Sequence, residues 1–116
     1  MNIEAASELE NSALFGTKWS IRILAALEGR VVRFGALKCE LEGVSQKALS
    51  ASLKLLERDG LVDRRHYPVI PPRVEYRLTE TGTEMAALLA ALRAVALARR
   101  ETVSTARRRF DERAVL

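Results

Sequence analysis

The chain holds a single cysteine, Cys39, among its 116 residues. No disulfide can close within it, and one thiol suits a reducing compartment. Histidine is as scarce, with His66 alone. One imidazole and one thiol cannot supply the several nitrogen or sulfur ligands that zinc requires, so no metal is expected. Aromatic residues make up only 5%, which leaves the core to leucine, valine, isoleucine and alanine. No apolar run reaches the roughly 20 residues that span a bilayer. The longest, MAALLAALRAVALA from Met85 to Ala98, is broken by Arg93. The first residues are acidic where a secretory signal needs a basic start. No phosphate-binding glycine loop and no nucleophile–base pair is visible. The expectation is a cytoplasmic, non-enzymatic domain with no catalytic residues, no cofactor and no membrane association.

What is present is charge, unevenly placed. The net charge is +4. Residues 1–16 carry only acids, Glu4, Glu8 and Glu10, whereas residues 17–78 hold twelve basic and seven acidic side chains. A central cationic block suits a polyanionic partner. The 48% apolar content supports one modest core.

Residues 4–14 contain no breaker and predict a short helix. In KWSIRILAALEG, Trp19, Ile23 and Leu27 recur at spacing four, which predicts a second helix closed by Gly29. Its place on that stripe makes Trp19 a core residue rather than a stacking platform. RVVRF predicts a brief strand leading into a third helix, FGALKCEL. Ser45 stands where an N-cap belongs, and SQKALSASLKLLERDG predicts a helix ended by Gly60. Its buried stripe is Leu49, Leu53 and Leu56, with Ala48 and Ser52. Gln46, Lys47, Ser50, Ala51 and Lys54 fall opposite. LVDRRHY and RVEYRL alternate as two strands of a hairpin, and Pro68, Pro71 and Pro72 force an exposed turn between them. In the second strand Val74, Tyr76 and Leu78 point one way and Arg73, Glu75 and Arg77 the other. Arg64 and Arg65, being consecutive, face opposite sides. Thr81 and Glu84 match a capping box for the last long helix, whose stripe is Met85, Leu88, Leu92 and Val95. The basic end of the chain is either a helical extension or a frayed tail.

Two helices joined by the short LEGVS turn form a helix-turn-helix candidate. The second, from Ser45, carries small and hydrogen-bonding side chains on its free face, as a reader of the DNA major groove requires. A proline-stiffened hairpin directly after such a helix is the wing of a winged helix, and Arg73 is its best-placed single cation. Other residues have plainer readings. Cys39, a candidate redox thiol, reads as a partly buried small apolar residue. His66 reads as a strand residue at the wing base. Glu40 with Glu42 and Glu57 with Asp59 are carboxylate pairs that read as solvated helix ends.

GTKWSIRILAAL, VRFGALKCELEGVSQKALSASLKLLERDGLVDR and YPVIPPRVEYRLTETG, in that order, resemble the HxlR-type family of bacterial winged-helix transcription regulators over about residues 14–90. The resemblance implies a mainly α fold with a small β wing (α+β). It implies a homodimer formed by the N- and C-terminal helices, with double-stranded DNA as partner. It divides the one domain into a dimerisation helix (1–16), a winged helix-turn-helix core (17–80), and a dimerisation helix with a basic tail (81–116). It places Ser45, Gln46, Lys47, Ser50 and Lys54 in the major groove, Arg64, Arg65 and Arg73 at the wing, and Lys18 and Arg33 at flanking phosphates. Met85, Leu88, Leu92 and Val95 become the dimer interface. Apart from the resemblance, the residues leave open whether a small-molecule effector binds in a cavity near Trp19, Met85 and Leu89. Two features depart from the family pattern. No cysteine precedes the first core helix, so the oxidant sensing of some members does not transfer, and Val69 stands where the wing usually carries an acid. The rival reading is a winged-helix docking module that binds a protein and no DNA.

Overall fold

The computed structural model describes residues 3–115. Helix α1 spans Ile3–Glu10 and a 3₁₀ turn spans Ala13–Phe15. There follow α2 (Ser20–Leu27), β1 (Val32–Arg33), α3 (Phe34–Glu40), α4 (Gln46–Arg58), β2 (Val62–Tyr67), β3 (Arg73–Leu78), α5 (Glu80–Ala98) and α6 (Arg100–Val115). The three strands form an antiparallel sheet in the order β1-β3-β2. The fold is mainly helical with a small sheet: a helix-turn-helix followed by a wing.

The core lies where α2, α4, the sheet and the start of α5 meet. Ile23, Leu24, Leu27, Leu37, Leu49 and Leu56 are fully enclosed, and Trp19 joins them. On α4 the apolar stripe falls inward as the spacing predicts: Leu49, Ser52, Leu53 and Leu56 are buried. Ser52 is a polar residue in this core, and its hydroxyl is satisfied twice. It donates to the Ala48 carbonyl at 2.8 Å and lies 2.7 Å from the Thr17 hydroxyl, which itself lies 3.3 Å from the Ser20 hydroxyl. This chain of hydroxyls pins the start of α2 to the middle of α4. Replacing Ser52 by alanine leaves Thr17 short of a buried partner, so a loss of about 1–2 kcal/mol in a urea titration is expected.

Several boundaries differ from expectation. The helix predicted over residues 4–14 ends at Glu10. Ser12 turns its hydroxyl back to the Leu9 carbonyl at 2.7 Å, a local bond that competes with helix continuation. The Ala13 amide then meets the Asp59 carboxylate at 2.7 Å, and Ala13 and Leu14 drop into the core. Asp59, read as one of a pair of solvated carboxylates, therefore ties the N-terminal segment to the end of α4.

The last long helix is capped by Thr79, not by Thr81. The Thr79 hydroxyl accepts from the Gly82 amide at 3.0 Å. The Thr79 amide donates to the Leu61 carbonyl at 3.1 Å, and its hydroxyl donates to the Gly60 carbonyl. These bonds fix the helix start two residues early. Gly60 itself adopts φ +72°, the left-handed conformation that ends α4.

The first half of α5 packs on the core through Gly82, Ala86 and Leu89. By length and composition α5 is apolar enough to cross a membrane, but leaving the core would strip these contacts from α2. Beyond it the chain runs outward. Between Ala91 and Ala114 every residue except Thr105 is exposed, and the molecule measures 65 Å along its longest axis. The basic end is thus a helix, α6.

Candidate nucleic-acid interface

Helix α4 begins as predicted. The Ser45 hydroxyl accepts from the Ala48 amide at 3.0 Å, a cap worth about 1 kcal/mol. With its inner stripe in the core, the opposite face is left to water. Gln46, Lys47, Ala51 and Lys54 are exposed and Ser50 is half-buried. Gln46, Ser50 and Lys54 repeat every four residues and so form one row along the helix.

The wing stands beside that row. Strands β2 and β3 pair from Val62 with Leu78 to Tyr67 with Arg73. Opposed residues share a face, so the ribbon has two different sides. Toward the core and α4 lie Val62, Arg64 and His66 across from Leu78, Tyr76 and Val74. On the outer side charges are matched: Asp63 is 3.6 Å from Arg77 and Glu75 is 3.3 Å from Arg73. Arg64 shares the inner face with His66, while Arg65 sits opposite Glu75 on the outer one.

Between α4 and the wing opens a groove of about 870 Å³. Arg33, Lys54, Arg64 and Arg73 line it together with Ser50, and Glu57 is its one acid. The structure thus brings together Ser50 and Lys54 of the α4 row, one flanking arginine and two of the three wing arginines, whereas Gln46 and Lys47 lie outside the groove at the start of the helix. Arg65 lines no part of it. Among the described residues, Lys47, Lys54 and Arg64 enter no ion pair, so their charges are uncommitted.

Arg73, expected as the best-placed single cation, lines the groove but is engaged within the ribbon. Its guanidinium lies 4.2 Å from the centre of the Tyr67 ring, and its Nε faces Glu75 in a geometry too bent for a hydrogen bond. Both contacts anchor it to the ribbon, which makes Arg64 the better candidate. Counting outward from the centre of the PVIPP turn pairs Tyr67 with Arg73, so the signal was present in the sequence. Lys18 and Arg22 both stand over the buried Trp19 ring, at 5.3 and 5.2 Å from its centre. Lys18 remains exposed but lines no part of the groove.

Cys39 is exposed, contrary to the reading of a partly buried residue. Helix α3 turns Leu37 and Leu41 inward at spacing four, and Cys39 between them faces out. Glu40, the other carboxylate of interest there, is held by Arg30 in a two-pronged contact of 2.6 and 3.0 Å. That hydrogen bonding keeps its carboxyl below the usual range, while the guanidinium is pushed up. Among the described residues no cluster of side chains could hold a metal ion. Of the expected interface on α5, Met85 is half-buried against the core, whereas Leu88, Leu92 and Val95 are 69%, 63% and 59% exposed. Trp19, Met85 and Leu89 all belong to core packing, and the open groove lies elsewhere.

Known proteins share this arrangement. The uncharacterized HTH-type transcriptional regulator YtfH of Escherichia coli K12 is 45% identical over 76 residues, 66% of this chain and 60% of that protein. The chain therefore spans about 60% of the length of that relative. The solved structure of ytfH from Salmonella typhimurium matches with a TM-score of 0.77 at 36% identity, over 89% of this chain and 90% of that one. The reduced form of the transcriptional regulator YodB from B. subtilis matches with a TM-score of 0.68 at 32% identity, over 83% and 91%. The model of the HxlR-like helix-turn-helix matches residues 14–103, from the 3₁₀ turn into α6, and the chain belongs to that family.

Proposed function

We propose that the chain is a sequence-specific regulator of transcription that binds double-stranded DNA in the cytoplasm as a homodimer on a pseudo-palindromic operator. The observation that carries this reading is the open groove beside α4: Ser50 and Lys54 of the helix face the same space as Arg33 and Arg64. In it α4 enters the major groove, where Gln46, Lys47 and Ser50 reach base edges, and Lys54, Arg33 and Arg64 meet the sugar–phosphate strand in the groove. Phosphate contacts supply affinity without sequence preference, and base contacts supply the preference.

Exposed apolar surface supports the dimer. Leu88, Leu92, Val95 and Leu97 on α5 and Val103 and Phe110 on α6 lie open to water. Burying each such side chain is worth about 1.5–3 kcal/mol, and a second copy offers an identical face. Two reading helices would then lie about one helical turn, ~34 Å, apart.

Binding to a duplex recovered from genomic fragments and to a random duplex, each titrated over a salt series, tests this reading. Arg64→Ala should weaken both and reduce the slope of log affinity against log salt by about one. Gln46→Ala should weaken the selected duplex by about ten- to hundredfold, ~1–3 kcal/mol, and spare the random one. Equal losses on both would remove Gln46 from base reading. No salt-dependent binding at all would favour the protein-docking alternative.

A further inference from the structure

We propose that the wing tip is an apolar wedge: Ile70 enters the minor groove beside the α4 contact and opens a base step there. This deepens the DNA-binding reading and rests on it. The connection between β2 and β3 is Pro68, Val69, Ile70, Pro71 and Pro72, without a charge or a hydrogen-bonding side chain. Ile70 is 101% exposed and Val69 49%. A fully exposed isoleucine is costly in water, and here it borders a groove that also holds Arg33, Lys54, Arg64 and Arg73. The tip is also stiff. Three prolines fix their own φ angles, and the Val69 amide is held on the Tyr67 carbonyl at 2.9 Å. A rigid tip loses little conformational freedom on insertion.

The geometry selects the occupant. One open groove separates α4 from the tip, with Lys54 on one wall and Arg64, Val69 and Ile70 on the other. A helix needs a major groove, about 12 Å wide. The next feature across a duplex is a sugar–phosphate strand, which the cations of the groove suit. Beyond that strand comes a minor groove about 6 Å wide, too narrow for a helix but open to a branched side chain. An apolar side chain cannot bond the acceptors on its floor. What it does there is slip between base pairs and unstack them, bending the duplex away from the wedge. Pyrimidine–purine steps resist this least, so the wedge predicts a preference for TA or CA at the flank, where no base-reading side chain reaches.

The probe is a duplex recovered by the purified full chain from genomic fragments, with dyes at both ends and 2-aminopurine placed in turn at each flanking step. The native chain should shorten the end-to-end distance and brighten 2-aminopurine at one step. Ile70→Ser should abolish both signals and weaken binding about tenfold, with the salt slope unchanged because no phosphate contact is lost. Replacing the flanking TA by GC should weaken the native chain and leave Ile70→Ser indifferent. A native complex without bend or brightening, or an Ile70→Ser complex bent like the native one, overturns the wedge while leaving DNA binding intact. A change of oligomeric state in Ile70→Ser without DNA would assign the tip to a second copy and also overturn it. Failure of the native chain to bind any fragment sinks the DNA reading and the wedge together.

Discussion

Replacing Gly82 by alanine is expected to cost about 3 kcal/mol or more, a large share of the stability of the domain. A Cβ added at Gly82 would stand 1.9 Å from the Leu61 carbonyl oxygen and 2.9 Å from its carbon. These are backbone atoms, so no rotamer change relieves the clash. Leu61 cannot retreat easily, because its amide is bonded to the Leu56 carbonyl at 2.9 Å and its carbonyl to the Thr79 amide at 3.1 Å. Domains of this size have only about 5–15 kcal/mol of stability. Gly35 provides the control. It lies in α3 with nothing within 4 Å of an added Cβ, so Gly35→Ala should raise stability by about 0.5 kcal/mol. Urea titrations followed by circular dichroism measure both. A Gly82→Ala chain as stable as the native one would mean that α5 does not seat on the β2 root as described.

The second large effect concerns assembly. Leu92→Glu combined with Val95→Glu should convert the proposed dimer to a folded monomer and lower affinity for a two-site operator by a factor of about 10²–10⁴, the gain that linking two binding sites provides. Both side chains are mostly exposed within one chain, so the monomer's melting should change little. Two carboxylates placed on a face that meets its own copy would be desolvated and set against each other. Sedimentation and operator titration together decide the matter. A double variant that remains dimeric would move the interface away from this part of α5.

Much of this organisation could be read from residue spacing. The α4 stripe, its Ser45 cap, the glycine stop at Gly60 and the alternation of β3 are local patterns, and local physics enforced them. What escaped depended on distant partners. The α5 start is set by Thr79 because Gly60 and Leu61, some twenty residues earlier, supply acceptors that Thr81 never meets. The break after Glu10 begins with a local bond from Ser12 to Leu9, but the seating of Ala13 that follows depends on Asp59, far along the chain. Cys39 reads as core because a small thiol two residues from each of two leucines resembles packing, until Leu37 and Leu41 fix the helix phase and turn it outward. That Arg73 stacks on Tyr67 depends on strand register, which the turn length determines. The exposed face of α4 was legible; that Arg33, Arg64 and Arg73 share a groove with Ser50 and Lys54 was not, since that depends on how the hairpin and β1 stand beside the helix.

The junction of Gly60, Leu61, Thr79 and Gly82 has a consequence for how such a molecule measures. It locks the root of the wing, the end of α4 and the origin of the long α5 arm into one solid corner. In a two-fold pair joined along those arms, the gap between half-sites is dictated by main-chain contact at this corner, like the fixed opening of a caliper. Changes in the groove-facing side chains can then alter which bases are preferred while the spacing stays the same.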